Sequence, residues 1–493
     1  MRKRTQEKWT DMVTKREFSK ILVANRGEIA VRVMRSAQEL GLKVVAIFEE
    51  TDKDAYHIMR ADEAVCIGPG PRKDYLTIDK IIAAARQTGA QAIHPGYGFL
   101  AENPDFPEAC TNAGLVFIGP PPQVIRDLGS KVVARKMAQT AGIRVVPATD
   151  TLSSGTVGDE EALAFAAEYG YPIMIKAVSG GGGRGIRQVD DKGSLLAGLS
   201  RSRDEALMSF GDDNIYLEKC IRRPRHVEVQ ILADSYGNVV HLGTRNCSIQ
   251  RRHQKLVEIA PAGLPQALTA EICEAAVRVS RAARYLSAGT VEFLVEPDGR
   301  YYFLEVNTRL QVEHTVTEVV TGIDIVREQF LIAMGDPISF AQERIMERGY
   351  AIELRINAED PKNDFLASPG VIQVYRSTGG HGVRLDGAVY QGYKIPPFYD
   401  SLIVKLTVYG FTWQEAVDRM GRALDGFLII GVKTTIPYFK RIVNEQDFRQ
   451  MNLDTAYIDY HPQLLDYREE EREVDKLARL IAEINAHGKN PYA

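Results

Sequence analysis

Apolar and polar positions alternate between two regimes over about the first 130 residues. Residues 20–25 (KILVAN), 43–48 (KVVAIF), 92–94 and 115–118 are short apolar runs that predict strands. Between them, residues 28–40 and 81–86 place apolar side chains at helical spacing. Strands alternating with helices predict a parallel α/β sheet. Residues 131–222 are mixed and carry a glycine run. From Arg225 to Phe303 strands dominate, as HVEVQILAD, VVHLGTR, GTVEFLVE and RYYFLEV. Residues 350–457 predict further strands and a last α/β stretch. After His461-Pro462, Val474, Leu477, Ile481 and Ile484 share one face of a helix that His487-Gly488 would end.

The strongest local geometry is GTVEFLVEPDGRYYFLEVN. Asp298-Gly299 between apolar strands predicts a two-residue hairpin turn. That turn pairs Pro297 with Arg300 and sets Glu292 opposite Glu305. Val291, Phe293, Val295, Tyr302, Leu304 and Val306 then share the buried face. Carboxylates facing each other on adjacent strands repel, and a cation would remove that cost. Asn307 adds an amide oxygen on the same face, a donor set suited to Mg²⁺. A solvated sheet face would look the same, and the pattern alone leaves both readings open. The period of two continues through Arg309, Gln311 and Glu313. If the backbone stays extended, all point one way. Arg309 could then fork onto an oxyanion and Glu313 could act as a base.

Residues 179–185 (SGGGGRG) follow the strand YPIMIKA, which carries Lys176. Bare glycines allow close approach of backbone N–H groups to phosphate. A flexible turn would read alike, and GxxxxGK[ST] is absent. The first strand–helix turn, NRGEIA, is not GxGxxG, so no dinucleotide site is expected. Residues 250–255 (QRRHQK) form a basic turn between apolar strands, a candidate anion site or a solvated face. His226 and His253 could bind phosphate there or be structural.

Composition narrows the classes. The chain has 493 residues, enough for several domains, and a net charge of -4, which gives no reason to expect nucleic acid. No run of about 18 apolar residues predicts a membrane span. Residues 1–16 are basic and polar, without the apolar core of a secretory signal, and read as an N-terminal arm or expression remnant. Five cysteines without CxxC spacing argue against a zinc or dithiol site and for the reducing cytoplasm.

Taken together, these segments resemble the biotin carboxylase family of ATP-grasp enzymes. The matching blocks are ILVANRGEIAVRV, HPGYGFLAEN, FIGP, GSK, IKAVSGGGGRG, PRHVEVQ, CSIQRRHQK, GTVEFL, FLEVNTRLQVEH, RINAED and PPFYDSL, in order from about Lys20 to Tyr457. The resemblance implies α/β and α+β architecture: an ATP-grasp fold with an N-terminal parallel α/β domain (18–130) after an arm (1–17). An ATP-grasp domain (131–345, lid about 150–222), a C-terminal biotin carboxylase domain (346–457) and a helical tail (458–493) would follow. It implies that Lys131 and Lys176 contact ATP phosphates, with Gly182 and Gly183 in the lid loop. Glu218, Lys219 and Ile221 would hold adenine, and His226, Gln250 and His253 would complete the nucleotide site. Glu292, Glu305 and Asn307 would bind Mg²⁺ or Mn²⁺. Lys255, Arg309, Gln311 and Val312 would surround bicarbonate, Glu313 would be the general base, and Arg355 would stabilise the biotin enolate.

The implied activity is ATP- and bicarbonate-dependent carboxylation of biotin through carboxyphosphate. No AMKM-type biotinylation sequence occurs and the chain ends at Ala493, so a separate biotin carboxyl carrier and a carboxyltransferase are expected partners, with a homodimer common in the family. VEHTVTE, KLVEIAPA and the tail KLARLIAEINAHGKNP lean toward the biotin carboxylase component of a pyruvate carboxylase. Acetyl-CoA or another acyl-CoA or 2-oxoacid carboxylase is the alternative. Another ATP-grasp ligase and a nucleotide-binding scaffold are the remaining readings. Asn246 departs from the aspartate that the family often has before Cys-Ser. The tail's apolar stripe suits docking on the carboxyltransferase or packing on its own chain.

Overall fold

Each predicted N-terminal run becomes an element because its apolar positions bury on schedule. In the computed structural model, which describes residue 15 and residues 17–180, 185–252 and 254–467, strands occupy Lys20–Val23, Lys43–Glu49, Glu63–Gly68, Ala92–His94 and Val116–Phe117. They form one parallel sheet with Lys20–Val23 at its centre. Helices Gly27–Glu39 and Ile78–Thr88 cover it, burying Ile29, Val33 and Met34 from one and Ile81, Ala84 and Ala85 from the other. The strand at Glu63–Gly68, which the sequence reading did not place, lies at the edge of the sheet and buries only Ile67.

The dominant element is an eight-stranded antiparallel sheet. Its strands run, edge to edge, Tyr301–Asn307, Ser287–Val295, Arg225–Ala233, Val239–Asn246, Val257–Ala260, Tyr350–Asn357, Leu402–Gly410 and Val383–Gly387. Pairing of Val257 with Leu354 and Ala260 with Ala351 carries the ladder from the central segment into the C-terminal one without a break. A third sheet, Ile186–Val189, Ile173–Ala177 and Ile215–Lys219, is backed by helices Thr156–Tyr169 and Lys192–Phe210 around its own core of Phe165, Leu195, Leu199 and Leu217.

The acidic hairpin departs from the predicted register in two compensating ways. The Glu296 amide donates to the Arg300 carbonyl at 2.8 Å, so the loop is Pro297, Asp298 and Gly299 rather than Asp298-Gly299. Gly299 takes the left-handed conformation, φ +89°, that a three-residue loop needs. A bulge next to Glu292 then absorbs the offset: Glu292 still pairs with Glu305, but Phe293 pairs with Phe303 and Val295 with Tyr301. The buried face therefore carries Tyr301 and Phe303, whose rings pack edge-on against Phe293, and not Tyr302 and Leu304. Leu304 turns into the cavity on the other face.

The second correction lies just beyond. The strand stops at Asn307, and Glu313 precedes the helix His314–Thr321, so residues 308–313 are a turn and not an extended run. All five cysteines are unpaired in disulfides. No helix among the described residues is long and apolar enough to cross a membrane. Gly182, Gly183, His253 and the tail from residue 468 lie outside the described residues.

Candidate active site

Strand pairing alone lines up the acidic groups. Glu305 sits opposite Glu292, and Glu292 opposite Glu228 on the next strand, so three carboxylates form one row across three strands. Arg245 extends the row on the fourth strand, paired with Glu228. Such a row is tenable only with compensating charge. Lys255 supplies it: Nζ donates to Glu228, to Glu292 at 2.9 Å and to Glu313 at 2.8 Å. His226 Nε2 lies 2.8 Å from Glu292, with Gln250 held 3.1 Å from its Nδ1.

Arg245 has no solvent exposure and is the hub beneath this row. It donates to Glu228 at 3.1 and 3.2 Å, to Gln230 at 2.8 Å, to Thr290 and Thr317 at 3.0 Å, and to Gln311. Gln311 in turn donates to Glu292 at 2.9 Å. Burial without that set would leave the guanidinium unpaired at a cost of several kcal/mol.

The turn after Asn307 brings the remaining groups round. Glu313 accepts from Lys255 through one oxygen and from Arg355 Nη2, at 3.0 Å, through the other. Burial pushes the Glu313 carboxyl up, but Lys255, Arg355 and Arg245 outweigh it and hold the group below its ordinary value. Glu292 is likewise held well below by Lys255 and His226 against burial. Glu228 is pushed up to about 7, because burial and the neighbouring charges of Glu313 and Glu292 exceed the pull of Lys255 and Arg245. Lys255 itself is raised well above the usual lysine value by its three glutamates, despite burial. Arg309 donates to Glu102 at 2.9 Å and to the Asn307 oxygen at 2.9 Å. Val312 presents its carbonyl to the buried Lys405 ammonium at 2.8 Å.

Glu305 is different. Burial and the facing Glu292 raise its carboxyl, and among the described residues nothing donates to it. Glu292, Glu305 and the Asn307 amide form an oxygen-rich set in which one carboxylate lacks a partner, and that fits a hard divalent cation.

These groups line one cavity of about 1330 Å³ between the third sheet and the large one. Lys131, Lys176, Glu218, Lys219 and Ile221 also line it. Lys176 is ion-paired with Glu218, and Lys219 donates to the Gly170 and Pro172 carbonyls at 3.0 and 3.4 Å. Every expected site residue that is described lies on this cavity: Lys255, Arg309, Gln311, Val312, Glu313 and Arg355 join the nucleotide and metal candidates there. Sequence reasoning missed Glu228, Arg245, Glu102 and Glu258. Arg245 left a signal, a lone arginine ending an apolar strand.

Family models match in series along the chain: "Biotin carboxylase, N-terminal domain" at residues 17–125, "Carbamoyl-phosphate synthase L chain, ATP binding domain" at 130–341, and "Biotin carboxylase C-terminal domain" at 353–460. The chain belongs to the biotin carboxylase family. A pyruvate carboxylase subunit from Methanothermobacter thermautotrophicus is 50% identical over 454 residues, covering 91% of each chain. Biotin carboxylase 1 of Bacillus subtilis is 48% identical over 445 residues, 90% of this chain and 98% of its own. Among solved structures, the biotin carboxylase domain dimer of Hydrogenobacter thermophilus 2-oxoglutarate carboxylase, in complex with MgADP, ADP and bicarbonate, superposes with a TM-score of 0.88 at 47% identity. It covers 92% of this chain and 100% of that one. The expected ATP-grasp architecture, a parallel α/β sheet followed by a large antiparallel one, is the fold of these biotin carboxylases.

Proposed function

We propose that this biotin carboxylase uses ATP and bicarbonate to carboxylate the biotin of a separate carrier protein in the cytoplasm, as the homodimeric biotin carboxylase component of a pyruvate carboxylase. The observation that carries the assignment of roles is the suspension of Glu313 between Lys255 and Arg355 inside the shared cavity. Bicarbonate sits against Lys255, Arg309, Gln311 and Val312. Its negative charge draws on Lys255 and Arg309, which relieves the depression of Glu313 and makes it a stronger base. Glu313 takes the bicarbonate proton, the freed oxygen attacks the γ-phosphorus, and ADP leaves. Lys131, Lys176 and His253 hold the phosphate oxygens, and Gly182 and Gly183 belong to the ATP-binding set. Glu218, Lys219 and Ile221 hold the adenine, while His226 and Gln250 brace the nucleotide side. Glu292, Glu305 and Asn307 would hold Mg²⁺ or Mn²⁺, which when bound neutralises phosphate charge.

Carboxyphosphate then breaks down to CO₂ and phosphate within the closed cavity. Phosphate takes the biotin ureido proton, Arg355 stabilises the enolate oxygen, and the ureido nitrogen captures CO₂. Exclusion of water protects the intermediate, which is the purpose of a lid.

Similarity to the Methanothermobacter pyruvate carboxylase component, together with VEHTVTE and KLVEIAPA, supports pyruvate as final acceptor through a carboxyltransferase partner. A second reading is another 2-oxoacid or acyl-CoA carboxylase, favoured by the similarity to the 2-oxoglutarate enzyme. The test is ATP hydrolysis by the purified chain with Mg²⁺ and bicarbonate, with and without free biotin, followed by reconstitution with carrier and carboxyltransferase. Biotin-stimulated hydrolysis and carboxylation of pyruvate are expected. Hydrolysis indifferent to biotin in every form would point to another ATP-grasp ligase, and none at all to a scaffold.

A further inference from the structure

Arg355 has two anchors, and only one of them takes part in the proposed proton transfer. Its Nη2 donates to Glu313 at 3.0 Å, while Nε donates to Glu258 at 2.6 Å. Glu258 is fully buried on the strand Val257–Ala260, directly opposite Glu353 on the strand that carries Arg355. Among the described residues Glu258 Oε2 and Glu353 Oε1 have no hydrogen-bond partner, and the other Glu353 oxygen accepts from Thr315 and Thr407. Two facing buried carboxyls do not both ionise. Burial and Glu258 hold Glu353 well above its ordinary value, against the pull of Lys405 and Arg355. Burial and Glu313 leave Glu258 raised as well, but it alone of the two accepts directly from Arg355, at 2.6 Å. The negative charge of this pair therefore rests on Glu258.

The consequence concerns timing. Once Glu313 has taken a proton, its carboxyl no longer attracts a guanidinium, and a long arginine side chain held only there would be released. We propose that Glu258 is a positioning residue that keeps Arg355 in place, charged and aimed into the cavity, after Glu313 has been neutralised, so that the second half of the reaction finds its enolate-stabilising group ready. This rests on the reading of Arg355 and Glu313 given above. Glu258 does not line the cavity, and its effect on substrate passes through Arg355. Anchoring of this kind lowers the cost of orienting a flexible side chain at the reacting centre.

The test separates the half-reactions. In Glu258→Ala, biotin-dependent turnover should fall by about tenfold or more and the KM for free biotin should rise, whereas bicarbonate-dependent ATP hydrolysis without biotin should fall far less. Glu258→Gln keeps the shape and a neutral acceptor for Nε. It should fold even if the alanine variant does not, and should show the same split in milder form. Parallel loss of both reactions in either folded variant would make Glu258 a structural residue and overturn the proposal, as would biotin-dependent turnover within about twofold of wild type in both. Arg355→Met is the control: if it retains biotin-dependent turnover, the reading of Arg355 itself fails, whatever Glu258 does.

Discussion

The Lys255 ammonium lies 2.8 Å from the Glu313 carboxylate while also serving Glu228 and Glu292, so one cation balances three acids converging from separate segments. Replacing it by Met should take one cationic partner from each of those carboxylates, leaving Glu313 to Arg355, Glu228 to Arg245 and Glu292 to His226. The expected cost is about 3–5 kcal/mol of stability, read by urea unfolding, with bicarbonate-dependent ATP hydrolysis falling by about a hundredfold or more. Full activity in this variant would contradict the role assigned to the lysine.

Arg245 is expected to matter as much although it does not line the cavity. Arg245→Met strips partners from Glu228, Gln230 and Gln311 at once. A loss of about 3–5 kcal/mol in chemical denaturation is expected, with weaker bicarbonate binding because Gln311 loses its brace. The KM for bicarbonate checks the second part.

Glu305 carries the metal prediction. Glu305→Gln changes a carboxyl to which, among the described residues, nothing donates, so the folded apo-protein should lose little stability. The Mg²⁺ concentration giving half-maximal hydrolysis should rise by about tenfold or more. An unchanged Mg²⁺ titration would remove Glu305 from the metal set.

A separate carboxyl sets a pH dependence. Burial pushes Glu347 up to about 7, opposed only by the Thr244 amide, which donates to it at 3.1 Å. A raised carboxyl binds its proton more tightly in the folded state. The folded state is therefore unpenalised below the unfolded value and loses stability as pH rises toward about 7. Glu347→Gln should match wild type in acid and exceed it above neutrality by up to about 3 kcal/mol, measured by urea unfolding across pH. The same side chain fills the space over Gly243, where an added Cβ would lie 2.1 Å from the Glu347 Cδ atom. Gly243→Ala should therefore destabilise, the more so because φ there is +84°.

The sequence was legible where a local rule sufficed. Period and length placed the strands at residues 20–25 and 43–48 and the helix between them, because the strands are continuous apolar runs buried on both faces and the helix buries one face against their sheet. The facing of Glu292 and Glu305 also came through, although by two offsetting errors, a longer loop and a bulge that no residue count along the hairpin foretells. Strand continuation from Glu305 to Glu313 was wrong in backbone and right in outcome. A turn and a helix start, and not a pleat, bring those side chains to one cavity.

Periodicity by itself determined the parallel α/β part of the fold, and motif order the family resemblance, which in turn implied the site residues; each motif depends on residues close together in the chain. Tertiary structure alone decided the partners. The row from Glu305 through Glu292 and Glu228 to Arg245 exists because antiparallel pairing sets strands from distant segments side by side. Glu258 meets Arg355 because the ladder crosses from the central segment into the C-terminal one. Electrostatics acts through space at a few ångströms, so which charge balances which, and hence which carboxyl is held ionised and which is pushed up, is settled only once the strands have found their neighbours.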